Sequence, residues 1–247
     1  MVITEIKRVK NGYHLTIDNE VVHLETSVLV DYKLKKNQVL SLKEFREIIE
    51  QNDLAKIKRL AVVYVAKARS VHAFKAYLRG LDAKKEYIEQ LTKQFKEKGY
   101  LNDLSYATDF VHRYERKYGE KRLKNMLIEK GIHPDVIDKV LKDHTDINLE
   151  SQVQTACLTV KADNYEKAKI KIMRKMVGLG YELNQTSIYI DKYLDKTKFN
   201  EEAVINQYYK IGLKKYQKKY EGYELQTKIK KYLYDQGFSL DTIDKIL

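Results

Sequence analysis

The 247-residue sequence contains one cysteine, one proline and ten glycines. A single cysteine, Cys157, excludes an intramolecular disulfide framework and favours a reducing, cytoplasmic location. There is no apolar run of about 18 residues, and the N-terminus lacks the apolar segment of a signal peptide. We therefore expect a protein that is neither exported nor membrane-bound. Because only Pro134 and a few glycines interrupt the chain, long helices are favoured.

Acidic residues are too few to balance the basic ones, since 47 lysines and arginines face 35 acidic residues for a net charge of +12. This excess favours an anionic partner, and the candidates are nucleic acid, an acidic protein surface and anionic lipid. The alternative is that the lysines are solvated faces without a partner.

Residues that catalysis or metal binding would need are also scarce. The six histidines are scattered, there is no HExxH motif, and a second cysteine is absent. No cluster of carboxylates has the spacing of a metal-dependent nuclease. We therefore predict no catalytic residue, no metal site and no cofactor.

Residues 1–53 predict a small β-rich module with short helices. The segment "GYHLTID" alternates apolar and polar residues, which is the period of a half-buried strand. Asn11-Gly12 before it is a hairpin signal, and "VVHLET" indicates a third strand. "SVLVDYKLK" favours a short helix, and Ser41 with Glu44 predicts a capping box at the start of another helix, expected to run through Ile49.

The remaining sequence shows helical spacing only, and it repeats. Similar segments surround Gly80, Gly131, Gly180 and Gly237, at spacings of 51, 49 and 57 residues. Units of this length hold three helices each, so we predict a mainly α, elongated array of four tandem three-helix repeats. The third repeat is diverged, with Thr186 where the second and fourth have isoleucine. The predicted repeats are residues 54–99, 100–147, 148–197 and 198–247.

The first two repeats resemble a known family. "ARSVHAFKAYLRG" and "EKGYLNDLSYATDFVHRYERKYGEKRLKNMLIEKGIHPDVIDKVL", over about residues 58–142, are similar to RecX proteins, the bacterial regulators of the RecA recombinase. The resemblance implies a non-enzymatic protein that binds RecA filaments on single-stranded DNA and limits filament growth in recombination, repair and the SOS response. It also implies a β-hairpin domain before the repeats. The chain departs from the family's "RRPRS" segment, having Lys67-Ala68-Arg69-Ser70 there.

Basic clusters supply the candidate RecA- or DNA-binding residues. The strongest lies in "HRYERKYGEKRLKN", around Gly119, and its alternative is a solvated face with Glu115 and Glu120 as ion-pair partners. In "KAKIKIMRK" we expect Ile170 and Met173 to face the core. The candidates are Lys67, Arg69 and Arg79 in the first repeat, Arg113, Arg116, Lys117, Lys121, Arg122 and Lys124 in the second, Lys169, Arg174 and Lys175 in the third, and Lys214, Lys215 and Lys218 in the fourth.

Two functions remain open. The resemblance favours a regulator of RecA filaments, and composition alone is equally compatible with a general single-stranded nucleic-acid-binding scaffold that acts without RecA. The fourth repeat bears on this choice because its lysines alternate with tyrosines, which suit base stacking. We expect most of these tyrosines (Tyr208, Tyr209, Tyr216, Tyr220 and Tyr223) to pack in the core instead.

Overall fold

The N-terminal module of the computed structural model, which describes all of residues 1–247, is an antiparallel sheet of three strands in the order β1-β2-β3. The hairpin predicted at Asn11-Gly12 joins the first two strands, and Leu15 and Ile17 are fully buried, as the alternation requires. The strands are β1 (Ile3–Val9), β2 (Gly12–Ile17) and β3 (Glu20–Leu24).

Two helices follow the sheet, α1 (Thr26–Asp31) and α2 (Leu42–Tyr64). The capping box of Ser41 and Glu44 is confirmed. The predicted end of this helix at Ile49 is wrong, because α2 continues for 15 further residues and includes the boundary proposed at residue 53.

The polar residue Asn52, at the middle of α2, explains why the helix does not stop there. Its side chain is 6% exposed. Its amide oxygen accepts a hydrogen bond from the main-chain N–H of Glu25 at 2.7 Å, and its amide nitrogen donates to the carbonyl of His23 at 2.9 Å. Asn52 therefore joins the helix to the end of β3.

Eleven more helices complete the chain, and no strand occurs after β3. With α2 they form four sets of three, which is the predicted repeat content. They are α3 (Val71–Arg79), α4 (Lys85–Glu97), α5 (Asp103–Tyr114), α6 (Glu120–Glu129), α7 (Pro134–Leu141), α8 (Leu149–Thr159), α9 (Tyr165–Gly178), α10 (Leu183–Tyr193), α11 (Glu201–Tyr216), α12 (Gly222–Asp235) and α13 (Leu240–Asp244).

The chain forms two compact units. The first contains Met1–Ala107 and Ile128–Val136, with one apolar cluster in the β module and another among α2, α3 and α4. The second contains Thr108–Leu127 and Ile137–Leu247, with one cluster among α8, α9 and α10 and another among α11, α12 and α13. The first, third and fourth sets of helices thus each enclose an apolar cluster of their own.

The repeat glycines lie just after the second helix of a set, Gly131, Gly180 and Gly237 two residues after its end and Gly80 one residue after it. Gly131, Gly180 and Gly237 have φ of +71°, +94° and +87°, a region that side chains with a Cβ enter only at a cost. Gly80 has φ of −68°, and Asp82 takes the positive φ of +57° there instead. This difference accounts for the looser sequence match around Gly80.

The divergent third repeat keeps the burial pattern of the others. Thr186 is fully buried, as are Ile137 and Ile243 at the equivalent positions. Its hydroxyl donates to the carbonyl of Glu182 at 2.6 Å, so the polar atom is satisfied within its own helix. Threonine therefore replaces isoleucine here without an unpaired buried group.

Candidate binding surface

The turn between α5 and α6, which carries the strongest basic cluster, packs directly on the turn after α9. The N–H of Gly119 donates to the carbonyl of Leu179 at 2.9 Å, and the N–H of Lys121 donates to that of Gly180 at 3.2 Å. A Cβ on Gly119 would lie 2.6 Å from the oxygen of Gly180, so only glycine permits this approach. The second and third repeats meet here, backbone against backbone.

A side-chain contact holds the same turn from a second direction. The amide nitrogen of Gln152 donates to the carbonyl of Arg116 at 3.1 Å and to the hydroxyl of Tyr181 at 2.9 Å. Tyr181 is 2% exposed, and its burial, together with the nearby Asp146 carboxylate, raises its pKa to about 12. The main chain that carries the cluster is therefore fixed.

Three arginines of this cluster are exposed and have no carboxylate within 4.0 Å, namely Arg113, Arg116 and Arg122. Lys117 is also exposed, with its ammonium 5.0 Å from the ring centroid of Tyr118. A guanidinium presents several donors in a planar fork that fits phosphate or carboxylate. The three arginines are therefore free to bind an external anion, whereas Lys117 already makes an internal cation–π contact.

Two lysines of the cluster already have partners. Lys121 pairs with Glu182 at 2.6 Å, and Lys124 pairs with Asp138 at 2.9 Å. Exposed pairs of this kind contribute little to stability, about 0–1 kcal/mol, yet they neutralise the local charge. We therefore rank these lysines below the arginines as binding residues.

The acidic partners expected from the sequence, Glu115 and Glu120, do not fill that role. Glu115 lies 3.5 Å from the imidazole of His112, and Glu120 is in none of the ion pairs of this turn. The ion-pair partners come from residues distant in sequence, which local spacing did not reveal.

The core side of α9 differs from the expectation. Ala168, Ile172 and Met176 are buried, four residues apart, and Met173 is partly buried against the same cluster. The prediction for Ile170 is wrong, because its side chain is 47% exposed. The helix turns its i, i+4 stripe inward, which leaves Ile170 on the outside.

The basic residues of α9 differ in their availability. Lys169 pairs with Asp191 at 2.6 Å, and this hydrogen bond raises the pKa of the lysine and lowers that of the aspartate. Arg174 and Lys175 are exposed and have no ion-pair partner. Only these two remain candidates for an external anion in the third repeat.

In the fourth repeat the tyrosines of α11 mostly pack inward, as expected. Tyr208 and Tyr209 contact the apolar cluster of this repeat. Lys215 lies over the rings of Tyr216 and Tyr232, 5.0 and 5.5 Å from their centroids. This lysine is therefore occupied by an internal cation–π contact.

The turn after α11 is more open than its helix. Lys218 in this turn and Lys214 in the last turn of α11 are exposed and unpaired, and Tyr220 is partly buried. The expectation of core packing is wrong for Tyr223, whose side chain is 86% exposed.

The candidates of the first repeat are dispersed. Lys67 and Arg79 are exposed and unpaired. The guanidinium of Arg69 lies 4.7 Å from the ring centroid of Tyr64, and its Nε is buried without a hydrogen-bond partner. Arg69 is therefore partly committed to internal packing.

Two residues that hold neighbouring repeats together were missed from the sequence. The hydroxyl of Ser70, before α3, donates to the carbonyl of Lys130 at 2.8 Å. The amide of Asn164, before α9, donates to the carbonyl of Gln236 at 2.9 Å. Each also caps its own helix, which is the only signal that the local sequence carries.

These contacts repeat the geometry seen at Gly119. In all three, the residue before the second helix of one repeat donates a hydrogen bond to a carbonyl in the next repeat. That carbonyl belongs to the residue just before the glycine with positive φ. We call each of these contacts a repeat joint. The close approach is similar too, since a Cβ on Gly131 would lie 2.4 Å from the Cβ of His72, and one on Gly237 would lie 3.0 Å from that of Glu166.

Comparison with known proteins gives consistent results. Residues 102–141 match the family described as "RecX, second three-helix domain". The chain is 28% identical to "Regulatory protein RecX" of Lactococcus lactis subsp. cremoris over 99% of its length and 96% of the relative's, and 28% identical to that of Streptococcus mutans over 100% and 98%.

Solved structures show the same fold. A crystal structure of regulatory protein RecX superposes with a TM-score of 0.55 at 20% identity, covering 77% of this chain and 97% of that one. RecX from Lactobacillus salivarius superposes with a TM-score of 0.53 at 23% identity, covering 58% and 97%.

The fold and the surface define a basic protein of tandem three-helix repeats preceded by a small antiparallel sheet. No helix is of a length and apolarity that would cross a bilayer. With matches along its whole length, the chain is similar to regulatory proteins of the RecX family.

Proposed function

We propose that this protein binds RecA filaments on single-stranded DNA and inhibits their growth, without catalysing a reaction itself. The observation that supports this most strongly is similarity over the full chain to proteins named "Regulatory protein RecX". RecA as partner follows from the family resemblance. The three exposed, unpaired arginines near Gly119 supply cations that an acidic filament surface or a DNA backbone would bind.

The rigid turn is what makes these arginines suitable. The second repeat joint and Gln152 fix the main chain at Arg116, and Arg122 begins from the same joint, so their stems are positioned before binding. Less conformational entropy is lost when the anchoring backbone is already ordered. We propose Arg113, Arg116 and Arg122 as the principal contacts, with Lys117 as an auxiliary one.

The test is RecA filament assembly and ATPase on single-stranded DNA with increasing protein. We expect the wild type to inhibit both at stoichiometric ratios, and the triple charge reversal of Arg113, Arg116 and Arg122 to glutamate to inhibit at least tenfold less. The matched control reverses three exposed, unpaired cations of the N-terminal module, Arg8, Lys43 and Arg46, which changes the net charge equally.

The control separates a local contact from general electrostatics. Equal loss in both triple variants would mean that net charge alone attracts the partner, which would contradict the assignment of these arginines. Unchanged filament assembly and ATPase with the wild-type protein would refute the proposed function itself.

A further inference from the structure

The outer face of α12 exposes two tyrosines to solvent, three helical turns apart. Tyr223 is 86% exposed and Tyr234 is 59% exposed. Eleven residues of α-helix separate them by about 16 Å and return them to nearly the same side. They line one groove of about 550 Å³, together with Lys230, Lys231 and the C-terminal Leu247.

Internal packing does not account for these two rings. The aromatic contacts of α12 are made on its other side, where Tyr232 meets Tyr216 with ring centroids 6.2 Å apart. Tyr223 and Tyr234 have no ring contact, and their hydroxyls have no hydrogen-bond partner. The exposed parts of both rings are therefore available to a ligand that stacks.

The charge beside the groove favours an anionic ligand. Between residues 210 and 231 there are eight lysines and two glutamates, Glu221 and Glu224. Lys218 and Lys219 are exposed and unpaired in the turn that leads into α12, and Lys231 is exposed and unpaired on the helix. Lys230 is already paired with Asp244.

A second copy of the chain does not fit this position. Tyr223 lies two residues after the N-cap of α12, just as Glu166 lies two residues after the N-cap of α9 in the third repeat joint. A second copy would therefore have to form a further repeat joint at Tyr223. The N-cap here is Glu221, whose carboxylate only accepts hydrogen bonds and repels the carbonyl at a helix C-terminus. Gly80, the corresponding glycine of a second copy's first repeat, lacks the positive φ of a joint.

We propose that the outer face of α12 binds single-stranded DNA directly, with bases stacked on Tyr223 and Tyr234 and phosphates bound by Lys218, Lys219 and Lys231. Exposed aromatic rings beside cations suit unpaired bases, because stacking uses the ring face while lysines neutralise the backbone. An acidic protein surface would bind the lysines but would make no stacking contact with the tyrosine rings. The choice of DNA rests on the proposed function, which places the chain on single-stranded DNA.

The test uses the full chain without RecA, so that its failure and the failure of RecA regulation are distinguishable. Fluorescence anisotropy measures binding to a labelled oligo(dT) at low salt. We expect Tyr223→Ala and Tyr234→Ala each to raise Kd by about 5- to 150-fold, which corresponds to about 1–3 kcal/mol per stacked base. Tyr223→Phe and Tyr234→Phe keep the ring and should keep the affinity.

A matched control removes an exposed tyrosine elsewhere. Tyr100 is 57% exposed in the first unit, and Tyr100→Ala should leave Kd unchanged. Lys231→Gln should lower the slope of log K against log salt by about 0.7, the value for one phosphate contact on a single strand. Circular dichroism and thermal unfolding confirm that each variant is folded.

Three results would overturn the proposal. The first is an unchanged Kd for the two alanine variants. The second is an equal loss on duplex DNA of the same length, since paired bases cannot stack on the rings. The third is tighter binding of oligo(U) or of a polyglutamate peptide than of oligo(dT), which would assign the groove to RNA or to an acidic protein.

Discussion

The glycine after α9 offers a sharp test of the repeat joints. Gly180 has φ of +94°, and a Cβ there would lie 2.4 Å from both the Cβ and the main-chain nitrogen of Arg122. Gly180→Ala therefore adds two costs. The left-handed backbone costs about 1–2 kcal/mol for a residue with a Cβ. Separation of the two turns would also break the hydrogen bonds from Gly119 and Lys121, each worth about 0.5–1.5 kcal/mol.

We expect a total loss of about 2–5 kcal/mol in the free energy of unfolding. Urea unfolding measures the loss, and hydrogen exchange at the amides of Gly119 and Lys121 reports whether the joint itself has opened. The same variant should displace Arg122, so the proposed inhibition of RecA filaments should weaken with it.

Two other glycines provide the controls. Gly99 has φ of +75° with nothing within 4 Å of an added Cβ, so Gly99→Ala carries the backbone cost alone, about 1–2 kcal/mol. Gly178 is helical and equally open, so Gly178→Ala should stabilise by about 0.5–1 kcal/mol. If Gly180→Ala destabilises no more than Gly99→Ala, the close approach at the joint does not constrain the fold.

Further predictions concern single buried groups. Asn164→Asp keeps the oxygen that caps α9 but loses the N–H donor to Gln236, so the free energy of unfolding in urea should fall by about 1–3 kcal/mol. Asn200→Asp changes an exposed cap and should have almost no effect. Equal effects of the two variants would contradict the third repeat joint. The pKa of Tyr181 is raised to about 12 in the folded protein, above the value of about 10 for an unfolded chain. The free energy that this difference adds to folding is fully present below about pH 10 and is lost as the pH rises through 12. Between pH 9 and about 11, the Tm of Tyr181→Phe should therefore decrease less than that of the wild type. An identical decrease would contradict the raised pKa of Tyr181. Burial raises the pKa of Cys157, so Ellman's reagent should react slowly with native protein and rapidly in urea; fast native labelling would contradict its burial.

Local patterns were sufficient to predict most elements of the fold. The Asn11-Gly12 hairpin, the capping box at Ser41 and the three-helix period are short-range features, set by turn chemistry and by 3.6-residue periodicity. The end of α2 was missed because the hydrogen-bond partners of Asn52, His23 in β3 and Glu25 just after it, lie 29 and 27 residues earlier and leave no local signal.

The candidate site was predicted less completely. The sequence identified the arginines near Gly119, but the ion pairs that neutralise Lys121 and Lys124 involve Glu182 and Asp138, at separations that no local pattern encodes. The exposure of Tyr223 was likewise missed, because tyrosines three or four residues apart are equally typical of a buried stripe.

By itself the sequence determined the helical spacing and the positions of the repeated glycines, because each depends on residues within a few turns of one another. The tertiary structure alone decided what those glycines approach. Ser70 meets Lys130, and Asn164 meets Gln236, across 60 and 72 residues. Such hydrogen bonds form only when one helix set packs on the next. They therefore cannot be predicted from patterns of neighbouring residues.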